Sequence, residues 1–282
     1  MNVTERADAA VQAAISVAAR LGMVGVSPAI LKDSNHTSIL LSPSPIVARV
    51  VVASDSAVEK LARELAVSSF MADDGAPVIG PSIDPAPGPH ETDGMAMTFW
   101  RFVPHRPADD EAVGSAARAL RICHDSLAKF PGELPPFTQA MQGALDLLKS
   151  NSELGPLADN DRAFLMSEYE RLNDIVDQTP SDSIALHGDP HLGNVFVTSS
   201  GARWGDWESA CRGPLEWDLS CVPRAGHDAW IDVNVELLQV LDDLRGLCVS
   251  VWCWEAFDRS AEKREAAQYH LDRLRRRSEV GR

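Results

Sequence analysis

The stretch HGDPHLGNVFV, residues 187–197, decides the fold of this chain. It places two histidines, an aspartate and an asparagine within eight residues, and then continues as a β-branched and aromatic run. Three interpretations are open for such a cluster: a metal-hydrolase site, a phosphoryl-transfer loop, or polar side chains that satisfy a turn. The residues on either side of the stretch distinguish among them.

A zinc hydrolase is the first interpretation, because His187, Asp189 and His191 resemble an H-x-D-x-H set of ligands. Hydrolase zinc sites need three or four ligands, usually including further histidines. The other histidines of the chain stand singly, and none forms an H-x-H or H-x-x-x-H pair. The sequence therefore disfavours a zinc site.

The spacing of three oxygen-bearing residues favours phosphoryl transfer. Asn194 follows Asp189 by five residues, and Asp206 follows Asn194 by twelve, at the end of the next predicted strand. The turn between the two strands would bring Asn194 and Asp206 together. An amide oxygen and a carboxylate are hard donors of the kind that Mg²⁺ requires. Phosphoryl transfer also needs a carboxylate near the attacking hydroxyl, which Asp189 can supply.

Together with WGDWESACRGPLEWDLS at residues 204–220, the opening stretch resembles the aminoglycoside phosphotransferase/choline kinase family, whose fold is kinase-like. The shared pattern is H-G-D-x-H-x-x-N, then a hairpin ending in D-x-E, then G-x-x-x-x-D-L. The resemblance implies that Asp189 is the catalytic base or the carboxylate that orients the acceptor. It implies that Asn194 and Asp206 bind Mg²⁺, and that His187 braces the loop.

The resemblance also implies a basic residue, usually lysine, on the third strand and a glutamate on the next helix. The run IVARVVV (46–52) contains one basic residue, Arg49, and Glu64 lies fifteen residues further on. We therefore predict that Arg49 contacts the α- and β-phosphates and that Glu64 is its ion-pair partner. Arginine differs from lysine in reach and geometry, and the alternative is that Arg49 is an outward-facing charge.

Two further segments bear on nucleotide binding. No glycine-rich phosphate loop is present: KDSNHTSILL (32–41) occupies its place, and its polar groups could face phosphates or form an ordinary hairpin tip. The run MTFWRFV (97–103) fits the hinge strand of the kinase-like fold, where the main chain would contact an adenine. The alternative is that its aromatic residues belong to the core. The expected nucleotide-binding zone is Phe99, Trp100, Arg101 and Phe102.

Hydrophobic periodicity and turn signals predict a β-rich N-terminal part, 1–103, with one main helix, and a larger, mostly helical part, 104–282. The resemblance implies that together they form an α+β, two-lobed protein-kinase-like fold. It implies that the first lobe binds the nucleotide and that the second holds the catalytic loop and the acceptor pocket. Predicted strands are 37–41, 46–52, 95–103, 194–198 and 202–207, and predicted helices are 5–21, 55–75, 109–130, 136–150, 160–178, 229–251 and 255–277.

Composition restricts the partners. A formal net charge of −15 argues against binding to nucleic acid and is compatible with a cationic substrate. No segment approaches the ~20 apolar residues that span a bilayer, and the N-terminal sequence lacks the pattern of a signal peptide. The five cysteines are odd in number and include no C-x-x-C pair, which is typical of reduced thiols. We expect a cytoplasmic protein without a membrane partner.

These features predict an enzyme that uses Mg²⁺ and transfers a phosphoryl group from ATP or GTP to a small-molecule hydroxyl. Aminoglycosides, amino sugars and amino alcohols are the expected acceptors. The alternative is a catalytically inactive kinase-like protein that binds a nucleotide or a partner. By the resemblance Asp218 braces a loop. The acidic residues considered for a cationic acceptor are Glu208, Glu216, Asp218, Asp242, Asp243, Glu255 and Asp258.

Overall fold

The computed structural model describes residues 3–150, 154–256 and 260–280. It confirms the mixed α+β class, with a sheet in the N-terminal region and helices in the C-terminal region. The helices are α1 (Val3–Arg20), α2 (Asp55–Asp73), α3 (Val113–Leu127), α4 (Thr138–Lys149), α5 (Asp159–Gln178), α6 (Leu215–Leu219), α7 (Val235–Glu255) and α8 (Ala261–Val280). The strands are β1 (Ser27–Asp33), β2 (Thr37–Ser42), β3 (Ile46–Val52), β4 (His90–Thr92), β5 (Met95–Arg101), β6 (Arg106–Pro107), β7 (Ile184–Leu186), β8 (Val195–Thr198), β9 (Gly201–Trp204) and β10 (Cys211–Gly213).

The largest sheet is antiparallel throughout, with strand order β1-β2-β3-β5-β4. Buried and half-buried residues alternate along β2 and β3 because successive side chains of a strand point to opposite faces. One face, which includes Ile39, Ala48, Val50 and Phe99, packs against the alanine-rich side of α1. Arg49 therefore lies on the face that α1 does not cover.

Helix α2 begins at a serine cap, where the Ser54 side chain accepts a hydrogen bond from the Ala57 backbone N–H at 3.2 Å. Its residue Leu65 packs with Ile79 and Trp100 in a separate apolar cluster. The helix thus covers side chains that do not pack against α1. Its buried residue Glu64 pairs with Arg49 in the same region.

The hairpin β8–β9 pairs with β6 in a three-stranded sheet. The predicted strand 202–207 is wrong at its end: β9 stops at Trp204, because Asp206 adopts a left-handed backbone conformation. Among the described residues, five observed strands were not predicted from the sequence, and the longest of them, β1, is almost entirely exposed and shows no alternation. An exposed edge strand lacks the period-2 signal on which sequence prediction depends.

The chain divides into two compact units. The first comprises residues 3–132, 189–210 and 224–229 and contains the five-stranded and three-stranded sheets. The second contains α4 to α8 and the β7–β10 pair, around a core that includes Leu165, Trp217 and Leu244. The predicted lobe boundary at residue 103 stays a prediction.

Two helices of the second unit begin six residues later than predicted. Helix α7 starts after Asn234, whose side chain caps it by accepting from the Leu237 backbone N–H at 3.1 Å. The predicted helix 255–277 is observed as α8, and the predicted residues 257–259, with the acidic candidate Asp258, lie outside the described residues. Within the described ranges, every helix is too short or too polar to cross a bilayer.

Candidate active site

A cavity of about 540 Å³ lies within the first compact unit. Its volume is in the range of small-molecule sites. Apolar side chains of Val47, Ile79, Val103 and Phe196 contribute to its walls. Six of the sequence-predicted site residues line it: Arg49, Trp100, Arg101, Phe102, Asn194 and Asp206.

Phe99 is not brought to this cavity. It is fully buried in the core against α1, on the opposite face of β5 from Trp100. Trp100 lines the cavity, and its indole N–H donates to Thr98 Oγ1 at 2.8 Å. Phe99 therefore belongs to the core, as the alternative interpretation of this strand has it. Phe99 and Trp100 are separated because successive side chains of a strand point to opposite faces.

Arg49 connects three segments of the first unit. One terminal nitrogen, Nη1, forms an ion pair with Glu64 on α2, and Nη2 donates to Asp206 Oδ1 at 2.8 Å. The alternative of an outward-facing charge is wrong, because the Arg49 side chain is only 13% exposed. Burial alone would lower the pKa of Arg49, but Glu64, Asp206 and Glu208 raise it above its ordinary value. The guanidinium is therefore permanently charged.

The carboxyl groups around Arg49 differ in their electrostatics. Burial raises the pKa of Glu64 to about 8, and the charge of Arg49 opposes this rise. Burial also acts to raise the pKa of Glu208, but a hydrogen bond from His36 brings it below its ordinary value. Even with Glu64 protonated, Asp206 and Glu208 share a single guanidinium, so the site has a surplus of carboxylate charge that suits a cation.

Asp206 is held at the cavity by the two tryptophans of WGDW. Trp204 and Trp207 are fully buried, and the Trp204 indole donates to the Ala116 carbonyl at 2.9 Å. Between them Asp206 has φ of 67° and ψ of 53°, a conformation that costs a non-glycine residue about 1 kcal/mol. Such strain persists where the surroundings enforce it, and here the buried rings direct the carboxylate to the cavity.

Hydrogen bonds hold both the side chain and the backbone of Asn194. Its side-chain Nδ2 donates to the Asp189 carbonyl at 3.0 Å, and its own carbonyl accepts from the Gly205 N–H at 3.0 Å. The amide nitrogen is therefore occupied, which leaves the amide oxygen as the donor atom available to a cation. Among the described residues no group of three histidine, cysteine or acidic side chains is arranged to hold a metal. Mg²⁺ needs no such cage, since it retains waters and binds substrate phosphates.

Asp189 presents its carboxylate to solvent, with 44% of the side chain exposed, and does not line the cavity. The backbone after it is tightly turned. The His191 N–H donates to the Asp189 carbonyl at 3.0 Å, and His191 Nδ1 accepts from the Gly193 N–H at 3.0 Å. Asp189 and Asn194 are thus tied together through the Asp189 carbonyl.

The residues before Asp189 are braced within the second unit. The backbone N–H groups of His187 and Gly188 donate to the two carboxylate oxygens of Asp218, each at 2.8 Å. Asp218 is fully buried, as a loop-bracing role requires. Gly188 has φ of 87°, so glycine is the residue that fits this position with least strain.

Sequence reasoning missed Arg245. Its Nη2 donates to the carbonyls of Gly188 and Trp217, both at 3.0 Å, and its guanidinium lies 3.7 Å above the Trp217 ring. It is 6% exposed on α7. A single arginine in the otherwise apolar run LRGLCV was the available signal, because a buried arginine requires acceptors.

Three of the acidic candidates in the second unit are engaged by neighbouring residues. Glu216 Oε1 accepts from the Asn234 N–H at 2.8 Å. Asp242 and Asp243 form ion pairs with Arg273 and Arg277 of α8. These contacts give structural roles to carboxylates that the sequence analysis considered for binding a cationic acceptor substrate.

Comparisons with known proteins give a matching family model and several similar solved structures. A family model described as the phosphotransferase enzyme family matches residues 29–249. Choline kinase LicA from Streptococcus pneumoniae is 16% identical, with a TM-score of 0.64 over 93% of this chain and 98% of that one. Amicoumacin kinase hAmiN, solved with AMP-PNP, Ca²⁺ and Ami, is 13% identical, with a TM-score of 0.68 over 88% and 87% of the two chains.

A third similar structure is the GDP complex of aminoglycoside 2'-phosphotransferase-IIIa, which is 14% identical with a TM-score of 0.65 over 92% of this chain and 97% of that one. At these identities the likeness establishes the fold, which is the kinase-like fold expected from the motifs. A search of curated proteins found no match.

Proposed function

Because the chain belongs to the phosphotransferase enzyme family, we propose that it transfers the γ-phosphoryl group of ATP or GTP to a hydroxyl of a small molecule. The main support is the single cavity that Arg49, Asn194 and Asp206 line together. A permanent cation and two oxygen donors on one cavity are what a magnesium-bound triphosphate requires. The family membership confirms the prediction of a phosphotransferase, and the substrates belong to the proposal.

The apolar part of the cavity is the proposed place of the nucleobase. Val47, Ile79 and Phe196 offer a flat apolar contact beside the main chain of Trp100 to Phe102. Arg49 would then meet the phosphates, since its charge is fixed and Glu64 holds it from behind. Similar proteins were solved with AMP-PNP and with GDP, which supports nucleotide use without choosing between adenine and guanine.

Asn194 and Asp206 would hold Mg²⁺. Their amide and carboxylate oxygens are hard donors, and the surplus of carboxylate charge around Arg49 favours a divalent cation. When bound, Mg²⁺ neutralises charge on the phosphate oxygens and positions the triphosphate.

Asp189 is the proposed base. The acceptor hydroxyl would donate its proton to the Asp189 carboxylate while its oxygen bonds to the γ-phosphorus. The bond from that phosphorus to the β-phosphate oxygen breaks, and a nucleoside diphosphate leaves. The exposure of Asp189 gives an acceptor access to the carboxylate, and its tie to Asn194 fixes the distance between base and metal site.

The proposed acceptor is a small alcohol that carries an amine. The net charge of −15 would attract a cation over a distance. Similar structures include a choline kinase and an aminoglycoside phosphotransferase, which supports this class of acceptor.

The test is release of ADP or GDP with a panel of amino alcohols, amino sugars and aminoglycosides. Asp189→Ala should lower turnover by roughly 10²–10⁴ and retain nucleotide affinity, the effect of losing a positioned base. Asp206→Ala should lose affinity for the magnesium nucleotide in calorimetry. Asp182→Ala, at an exposed position outside the cavity, is the matched control.

Undiminished turnover of Asp189→Ala would remove this residue from the mechanism. A protein that binds a magnesium nucleotide but phosphorylates no member of the panel would favour the inactive alternative. That alternative draws support from the absence of glycine in 32–41.

A further inference from the structure

The tip of the β1–β2 hairpin is a well-braced turn. The Ser34 N–H donates to the His36 carbonyl at 3.0 Å, and Thr37 Oγ1 donates to Asp33 Oδ1 at 2.8 Å. Arg6 of α1 pairs with the same Asp33 oxygen at 2.7 Å. A loop that should be glycine-rich in this fold is therefore held by side chains instead.

His36 points from this tip into the cavity. Its imidazole is 12% exposed and lines the cavity, whereas the neighbouring Asn35 is exposed and does not line it. Nδ1 lies 3.3 Å from Arg49 Nη2, and Nε2 lies 2.8 Å from Glu208 Oε2. One ring thus joins the central arginine to the carboxylate that follows Asp206 in the D-x-E segment.

The partners determine which ring nitrogen carries the proton. A guanidinium can only donate, so His36 Nδ1 must accept from Arg49. The single proton of the neutral ring is then on Nε2, from which it is donated to Glu208. A proton on Nδ1 would face an N–H of Arg49 and break this contact. The tautomer is assigned from these hydrogen bonds, in the order Arg49 to His36 to Glu208.

Arg49 consequently has acceptors from three different segments. Glu64 comes from α2, Asp206 from the turn after β9, and His36 from the hairpin tip. Three acceptors around one planar guanidinium fix its plane as well as its position. A side chain fixed before the ligand arrives loses less conformational entropy on binding.

We infer that His36 is a positioning residue for nucleotide binding, which acts by orienting Arg49 and by tying the hairpin tip to Glu208. The inference rests on the proposed function, since Arg49 is there the contact to the phosphates. In a segment that lacks glycine, His36 thereby keeps the hairpin tip close to the phosphate-binding groups.

The experiment compares three substitutions in the full chain. His36→Phe removes both hydrogen bonds and should raise KM for the nucleotide about tenfold, with kcat and acceptor KM within about threefold. His36→Gln retains one acceptor and one donor on a single amide and should recover most of the affinity. Asn35→Ala, at the adjacent exposed position, should behave as the unsubstituted protein does.

A second measurement does not depend on turnover. Calorimetry with Mg·ATP and Mg·GTP should give the same ranking of dissociation constants as KM. Long-range ¹H–¹⁵N spectra of the ligand-free protein should show Nδ1 as the unprotonated ring nitrogen of His36 and Nε2 as the protonated one. If His36→Phe fails to fold, as judged by thermal unfolding, His36→Ala provides the same comparison.

The outcomes separate the two hypotheses. If the unsubstituted protein binds neither nucleotide, the proposed function fails and this inference fails with it. If it binds a nucleotide and His36→Phe binds equally well, only the inference is overturned. Equal losses in His36→Phe and Asn35→Ala, or a ring protonated on Nδ1, would also overturn it.

Discussion

Glu64→Gln should remove a specific pH dependence of stability. The Glu64 side chain is 1% exposed, its Oε1 pairs with Arg49, and a hydrogen bond from the Trp207 backbone also favours its charged form. Burial raises its pKa from 4.5 to about 8. Between these values the folded protein retains a proton on Glu64 that the unfolded chain has released. The free energy of unfolding should therefore fall as pH rises through this window, by up to about 1.4 kcal/mol per pH unit for this group.

Glutamine keeps the size of the side chain and an oxygen for Arg49 but does not titrate. The stability of the unsubstituted protein relative to the variant should therefore be largest below pH 4.5 and should diminish as pH rises to about 8. Urea unfolding followed by tryptophan fluorescence at intermediate pH values measures this difference.

The matched control is Glu59→Gln, on the same helix, because the Glu59 side chain is 72% exposed. The free energy of unfolding of this control should change with pH as that of the unsubstituted protein does. Parallel profiles for Glu64→Gln and the unsubstituted protein would show that Glu64 does not retain its proton, and would refute the electrostatic account of the Arg49 pair.

Three further substitutions test the site. Arg49→Lys should raise the nucleotide KM roughly tenfold, because an ammonium group cannot hold three separated acceptors in one plane. An unchanged KM would contradict the need for a planar guanidinium at this position. Arg245→Ala should lower the free energy of unfolding in urea by roughly 2–4 kcal/mol, since two carbonyls lose their buried donor. A loss smaller than the error of the unfolding free energy extrapolated to zero urea would contradict the bracing role. Gly188→Ala should cost about 1–2 kcal/mol, because its φ is 87°, and should slow turnover; Gly143→Ala in α4, with open space around it, serves as control.

The sequence by itself determined the order of the functional elements. The spacing from Asp189 to Asn194 to Asp206 depends on a turn and a two-stranded hairpin, which are local structures with strong signals. An apolar run and a helical period likewise predicted the strand that carries Arg49 and the helix that carries Glu64. Their pairing was implied by the family resemblance, and the structure shows it. Local hydrogen bonding and side-chain period explain why these features were accessible from sequence.

Only the tertiary structure decided which side chains meet. Phe99 and Trp100 are adjacent in sequence, yet one is in the α1 core and the other at the cavity, because each face of β5 has a different covering. The roles of His36 and Arg245 could not be assigned from sequence, because their partners lie on segments that are distant in sequence. The raised pKa of Glu64 has the same origin, since it comes from burial that only the assembled sheet and helix produce.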